Sequence, residues 1–176
     1  MNAAFARHKP NVPDFGISAT KLLLQTSRGS DIDNAQGNSE FTVGNLREFA
    51  SLDRNYSGQI LSVRHEPTGR FNCHGLMFAA RRTCIDDPEV VAKILHEDAY
   101  ISVKPEEVLA GDLVAYLTRA GDIEHSGLVL EKGTISMPIP KVCSKWGPYK
   151  EVIHWANQCP YDSSQLAYFR VKTCTT

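Results

Sequence analysis

Cys73 lies in Arg70-Phe71-Asn72-Cys73-His74-Gly75-Leu76-Met77-Phe78, where a polar approach gives way to an apolar run. Fifty-two residues later, Glu124-His125-Ser126-Gly127-Leu128-Val129-Leu130 sets a histidine at the head of a β-prone run. A thiol near the start of a buried helix and an imidazole opening a strand are what a cysteine nucleophile and its general base require. Asn72 is a good N-cap type, so Cys73 falls at the first helical position, where unpaired backbone N–H groups favour a thiolate and can hold an oxyanion. His74 is a poor base for its neighbour, because adjacent helical residues point apart. Of the other five histidines, His125 is the best placed. Alone, a cysteine on an apolar helix is more often a small buried hydrophobe. The argument rests on the ordered pair.

These residues need a scaffold. The apolar positions 46, 49 and 52 suit a short helix over Asn45 to Leu52. Cys73 to Thr83 is apolar on nearly every side, as expected of a helix buried against a sheet. Pro88 to Glu97 reads as a second such helix, with Asp87 as N-cap and Val90, Val91, Ile94 and Leu95 on one face. After Pro105 come short β-prone runs at Leu113 to Leu117, Ser126 to Leu130, Ile139 to Trp146, Glu151 to Trp155 and Leu166 to Val171, punctuated by Gly-Asp, Lys-Gly and Gly-Pro turns. Helices first and an antiparallel sheet afterwards is α+β order, with no βαβ alternation. Upstream, Ile17 to Thr26 suits a strand or a short helix, and Ser27 to Ser39 a loop.

The chain of 176 residues suits one domain, with 42% apolar and 22% charged residues. Residues 1–44 read as a weakly ordered lead-in to a domain over 45–176. A formal net charge of -1 offers nothing to nucleic acid or an anionic membrane. No window approaches the roughly 18 apolar residues of a membrane span, and Met1 to Phe15 has no apolar core of a Sec signal. Five cysteines, none in a Cys-x-x-Cys pair, argue against a disulfide framework and a zinc knuckle. The expected compartment is the cytoplasm, or a target reached by export without a Sec signal.

Phe71-Asn72-Cys73-His74-Gly75-Leu76, Gly111-Asp112-Leu113-Val114 and His125-Ser126-Gly127-Leu128-Val129 together resemble the NlpC-like branch of the papain-fold cysteine peptidases and amidases. Members carry Asp-Cys-Ser-Gly, Gly-Asp-Leu and His-Val-Gly motifs in that order. Ser144-Lys145-Trp146-Gly147, His154 and Cys159-Pro160-Tyr161 resemble a subgroup of amidase domains with an Asn-Cys-His nucleophile. The likeness covers roughly residues 55 to 165. It implies a papain-like α+β fold, Cys73 as nucleophile and His125 as general base and later acid. A peptide or other amide-containing substrate would be cleaved through a thioester, with neither cofactor nor metal. Asn72 and His74 stand where relatives have Asp and Ser, so the substrate does not carry over. The residue orienting His125 is expected on the following strands: Ser144 or Lys145, His154, or else a carbonyl or water. Tyr56 and Gln59 are candidate oxyanion donors. Related folds also move acyl groups to other acceptors, and some members of such folds bind without catalysing.

Two other signals were weighed. Asp53-Arg54-Asn55-Tyr56-Ser57-Gly58 resembles a calcium loop, but Arg64 occupies the twelfth position, where a bidentate glutamate is needed. Trp146, Trp155 and Tyr161 suit either a core or a groove lining.

Overall fold

The helices are α1 (Val43–Tyr56), α2 (Cys73–Phe78) and α3 (Pro88–Glu97). The strands are β1 (Ser62–His65), β2 (Tyr100–Val103), β3 (Leu113–Leu117), β4 (Ile123–Glu131), β5 (Lys141–Lys145), β6 (Glu151–Trp155) and β7 (Leu166–Val171). The structure, a computed structural model, describes residues 20–37 and 40–172. The reading of Met1 to Phe15, the start of Ile17 to Thr26, and Cys174 lie outside those residues. All seven strands join one antiparallel sheet in the order β1-β6-β5-β4-β3-β7-β2. The architecture is α+β.

The sheet has helices on both faces. Phe49 and Leu52 of α1 join Val114, Tyr116, Val129, Val142, Trp146, Tyr149 and Val152 in one core. Ala79, just past α2, joins Val91, Ile94 and Leu95 of α3 and Ile85, Leu113, Ala115 and Ile123 in the other. Alternation along β3 divides the two sets, because successive strand residues point to opposite faces, and in β4 a register shift between His125 and Ile123 puts Ile123 on the other face from Val129. Helix α3 begins as its sequence suggests, with Asp87 accepting the Glu89 N–H at 2.9 Å and Pro88 at the first position. Helix α1 is longer than expected because Thr42 and Asn45 cap it reciprocally.

Helix α2 is shorter than the expected Cys73 to Thr83. Ala80 and Arg81 take positive φ values of 49° and 62°, a conformation that costs a non-glycine residue energy. The compensation is tertiary: the Arg81 fork makes two 2.8 Å bonds to the Glu151 carboxylate. Cys84 then forms a backbone bridge with Ala35.

The Gly111-Asp112-Leu113 motif is structural. Gly111 has φ +96°, and Asp112 accepts the Leu109 N–H at 2.8 Å while pairing with Arg170 of β7 at 2.6 and 2.7 Å. Within 20–37, Gln25 pairs with Asp31 in an isolated bridge and Ile32 is buried. The Asp53 carboxylate, first in the calcium-loop resemblance, is taken by the Tyr149 hydroxyl and by Lys150. Among the described residues, no helix is long and apolar enough to cross a membrane.

Candidate active site around Cys73 and His125

Asn72 caps α2 and uses its whole amide in doing so. Its Oδ1 accepts from the N–H of Gly75 at 2.8 Å and of Ile85 at 3.2 Å, and its Nδ2 donates to Ile85 O and Asp86 Oδ1, both at 2.8 Å. Cys73 therefore starts the helix, as expected, in a fixed orientation. Gly75 is required two residues on, since a Cβ there would come 1.7 Å from the Thr83 carbonyl oxygen. The Cys73 sulfur is buried. Burial pushes its thiol up to about 12, against the pull of the backbone N–H groups of Ser126, His74 and Cys73 itself. His74 turns away from any role as base. Its Nδ1 lies 2.9 Å from Ser126 Oγ, pinning α2 to β4, and burial lowers its pKa to about 4.

His125 is fully buried, with its ring flat against Tyr161 at 3.7 Å and 8° and tilted against Tyr116 at 4.9 Å. Neither ring nitrogen has a hydrogen-bond partner among the described residues, and the same holds for Trp146 Nε1. Burial holds the imidazole well below its ordinary pKa, and positive charge on His154 or His74 would push it the same way. At neutral pH the pair in this conformation is thus a thiol and a neutral imidazole, not an ion pair.

The structure places the expected orienting residues near His125 without joining them to it. Ser144 Oγ and His154 Nε2 bond each other at 2.7 Å across β5 and β6. His154 Nδ1 donates to the Trp155 carbonyl at 2.8 Å, so Nε2 is the acceptor and the Ser144 hydroxyl the donor. Lys145, the alternative, follows Ser144 in β5 and so points to the other face. Tyr56 packs edge-on against Trp146 at 5.9 Å, and Gln59 sits in a 3-10 turn after α1. No hydrogen bond ties either to Cys73.

Cys73 and His125 approach β4 from different sides. Ser126, whose hydroxyl meets α2, faces that helix, so His125 beside it projects toward the α1 side. The two groups meet at one strand segment, because the helix that Cys73 starts is bonded through His74 to Ser126, the residue directly after His125. Tyr161 lies over His125. Its ring covers the imidazole, and burial, with any charge on Cys73 adding to it, raises its own ionisation. Beside it, a cleft of about 320 Å³ is lined by Glu48, Ser51, Leu52, Asn55, Tyr56 and Pro160. The arrangement is a nucleophile and a base in reach of one strand segment, closed by an aromatic cover. Sequence reasoning noted Tyr161 only as core or groove, and nothing in its spacing signals the stack. Cys84, Cys143 and Cys159 are free, buried thiols.

No family model matches the chain, and no curated protein and no solved structure is significantly similar to it.

Proposed function

We propose that this chain is a cysteine-dependent hydrolase with a papain-like, NlpC-related fold, cleaving an amide through a thioester on Cys73 with His125 as base and then acid. The observation that carries the reading is the convergence at His125–Ser126. A capped helix start places Cys73 beside His74, whose ring bonds the hydroxyl of Ser126, the residue that follows the histidine. The order of elements also supports it: the nucleophile helix precedes an antiparallel meander, β3 to β6, with the histidine on its second strand.

The conformation described is the closed one. Turnover requires Tyr161 to leave the face of His125 and the imidazole to come around β4 to the Cys73 side, where it can take the thiol proton. Cys73 passes that proton to His125 and attacks the carbonyl carbon, while N–H groups at the helix start hold the oxyanion. The imidazolium then protonates the leaving amine as the C–N bond breaks. Water, deprotonated by His125, next attacks the thioester, releasing acid and restoring the thiol. Ser144 and His154, paired on the same sheet face as His125, are assigned to position it.

The probe is p-nitrophenyl acetate, a small activated ester that needs no substrate-specific pocket. The expected result is an acetyl group on Cys73, found by peptide mass mapping, that decays to acetate. Cys73→Ala abolishes it, and His125→Ala slows it by roughly 10² to 10⁴. Equal acetylation of Cys84, Cys143 and Cys159 would refute the reading. An acetyl-enzyme that persists until an amine is added identifies an acyltransferase instead. A non-catalytic binding module is the second reading, favoured by the missing bond between Cys73 and His125. It predicts no acetylation specific to Cys73.

A further inference from the structure

Lys145 is completely buried, and the reaction above gives it no work. Its ammonium donates to three backbone carbonyls: Thr68 at 3.1 Å, Gly147 at 2.7 Å and Tyr149 at 2.6 Å. These acceptors belong to two segments. Thr68 lies in the loop leading into Asn72 and Cys73, while Gly147 and Tyr149 form the turn between β5 and β6. The segments also meet directly, through the Thr68 N–H and the Pro148 carbonyl at 2.9 Å. The Phe71 ring closes the space around the ammonium at 5.4 Å.

Burying a lysine without a bonded carboxylate is costly, and an apolar side chain of similar length would fill the space without that cost. The titratable groups facing it are Glu151 of β6, which is committed to Arg81, and the Cys73 and Cys84 thiols. None neutralises it by a direct bond. What the ammonium supplies is three N–H donors from one point, matched to three carbonyls. A neutral amine has only two and would turn its lone pair on the third. Burial lowers Lys145 to about 7, against the opposing pull of Cys84, Glu151 and Cys73.

We propose that Lys145 is a positioning residue of the active site: its ammonium clamps the loop that delivers Cys73 to the turn between β5 and β6, so one side chain holds the nucleophile in register with the strands that follow His125. The functional meaning of the clamp rests on the hydrolase reading, but the clamp can be tested without turnover.

The test is amide hydrogen exchange followed by mass spectrometry on the full chain, together with the acetylation rate of Cys73 by p-nitrophenyl acetate. In Lys145→Met, segments 66–72 and 146–150 should exchange at least tenfold faster together, with α3 unchanged within twofold. The limiting rate of Cys73 acetylation should fall at least tenfold, with the half-saturating ester concentration unchanged within twofold. Lys145→Gln, which keeps two donors, should recover part of both effects. The wild-type chain supplies an arm that needs no variant. On raising the pH from 6 to 9, the same two segments should lose protection beyond the intrinsic base catalysis of exchange, and α3 should not. Unchanged exchange in the two segments, a uniform rise that includes α3, or undiminished acetylation despite loosened segments each overturns the proposal. If wild-type Cys73 takes no acetyl group, the hydrolase reading falls, and the exchange arm alone decides the clamp.

Discussion

Acidification should destabilise this protein well above the pH at which its carboxylates protonate, because its site is built around histidines that the fold keeps neutral. His74 and His154 are both lowered by burial from 6.5 to about 4. In the unfolded chain each binds a proton near 6.5, and in the folded chain only near 4. Between those values the unfolded state holds more protons, so stability falls as pH falls. Each histidine contributes a slope of about 1.4 kcal/mol per pH unit, and the two together about 2.7. By pH 4 each has cost about 3 kcal/mol, so together they remove about as much as the whole stability of many domains. His125, also held well below its ordinary value by burial, adds to the loss. The carboxylates that fold with lowered values, Asp112 beside Arg170 and Glu151 beside Arg81, contribute stability that is lost only as pH falls below their ordinary 3.8 and 4.5. The window from 6.5 to 4.5 therefore reports the histidines. Urea titrations followed by circular dichroism at pH 7, 6 and 5 measure the slope. In His154→Gln, which leaves an amide near Ser144 and no proton to bind, the slope should drop by about 1.4 kcal/mol per pH unit. A wild-type slope below about 1 kcal/mol per unit between pH 6 and 5, or one unchanged by the substitution, would refute the reasoning.

Tyr161→Ala should uncover His125: its ring resonances, followed by NMR, should titrate closer to the ordinary 6.5, and iodoacetamide should label Cys73 faster relative to Cys84. An imidazole that stays untitratable in that variant would show that Tyr161 is not its cover. Gly75→Ala forces a methyl group to within 1.7 Å of the Thr83 carbonyl oxygen and should cost more than about 3 kcal/mol in a urea titration. Gly58→Ala, with nothing within 4 Å of the added carbon, is the matched control and should change stability by less than about 1 kcal/mol. A similar midpoint shift in both variants would mean that the α2 contact with Thr83 is looser than described.

What the sequence made legible is what local rules govern. Asp87-Pro88 set the start of α3, and β3, β6 and β7 keep the bounds read from their β-prone runs. Asn72 announced the helix start at Cys73 by residue type alone. What stayed hidden depends on partners distant in the chain. Strands β1 and β2 escaped notice because they are sheet edges: all four residues of β1 are exposed, and their pairing comes from β6 and β7. The early end of α2 depends on Arg81 reaching Glu151, 70 residues away. The site divides along the same line. Cys73 and His125 could be nominated because thiol and imidazole are rare, chemically marked residues. Their orientation could not, since it turns on which hydroxyl the strand partners spend on each other. Ser144 and His154 bond diagonally across β5 and β6, so each takes the bond that either could have offered His125. Lys145 was hardest to read, because its partners are backbone carbonyls, which every residue carries and no residue type announces. A candidate orienter chosen from sequence is therefore safest where the neighbouring strand offers it no better acceptor, and here the neighbouring strand offers His154.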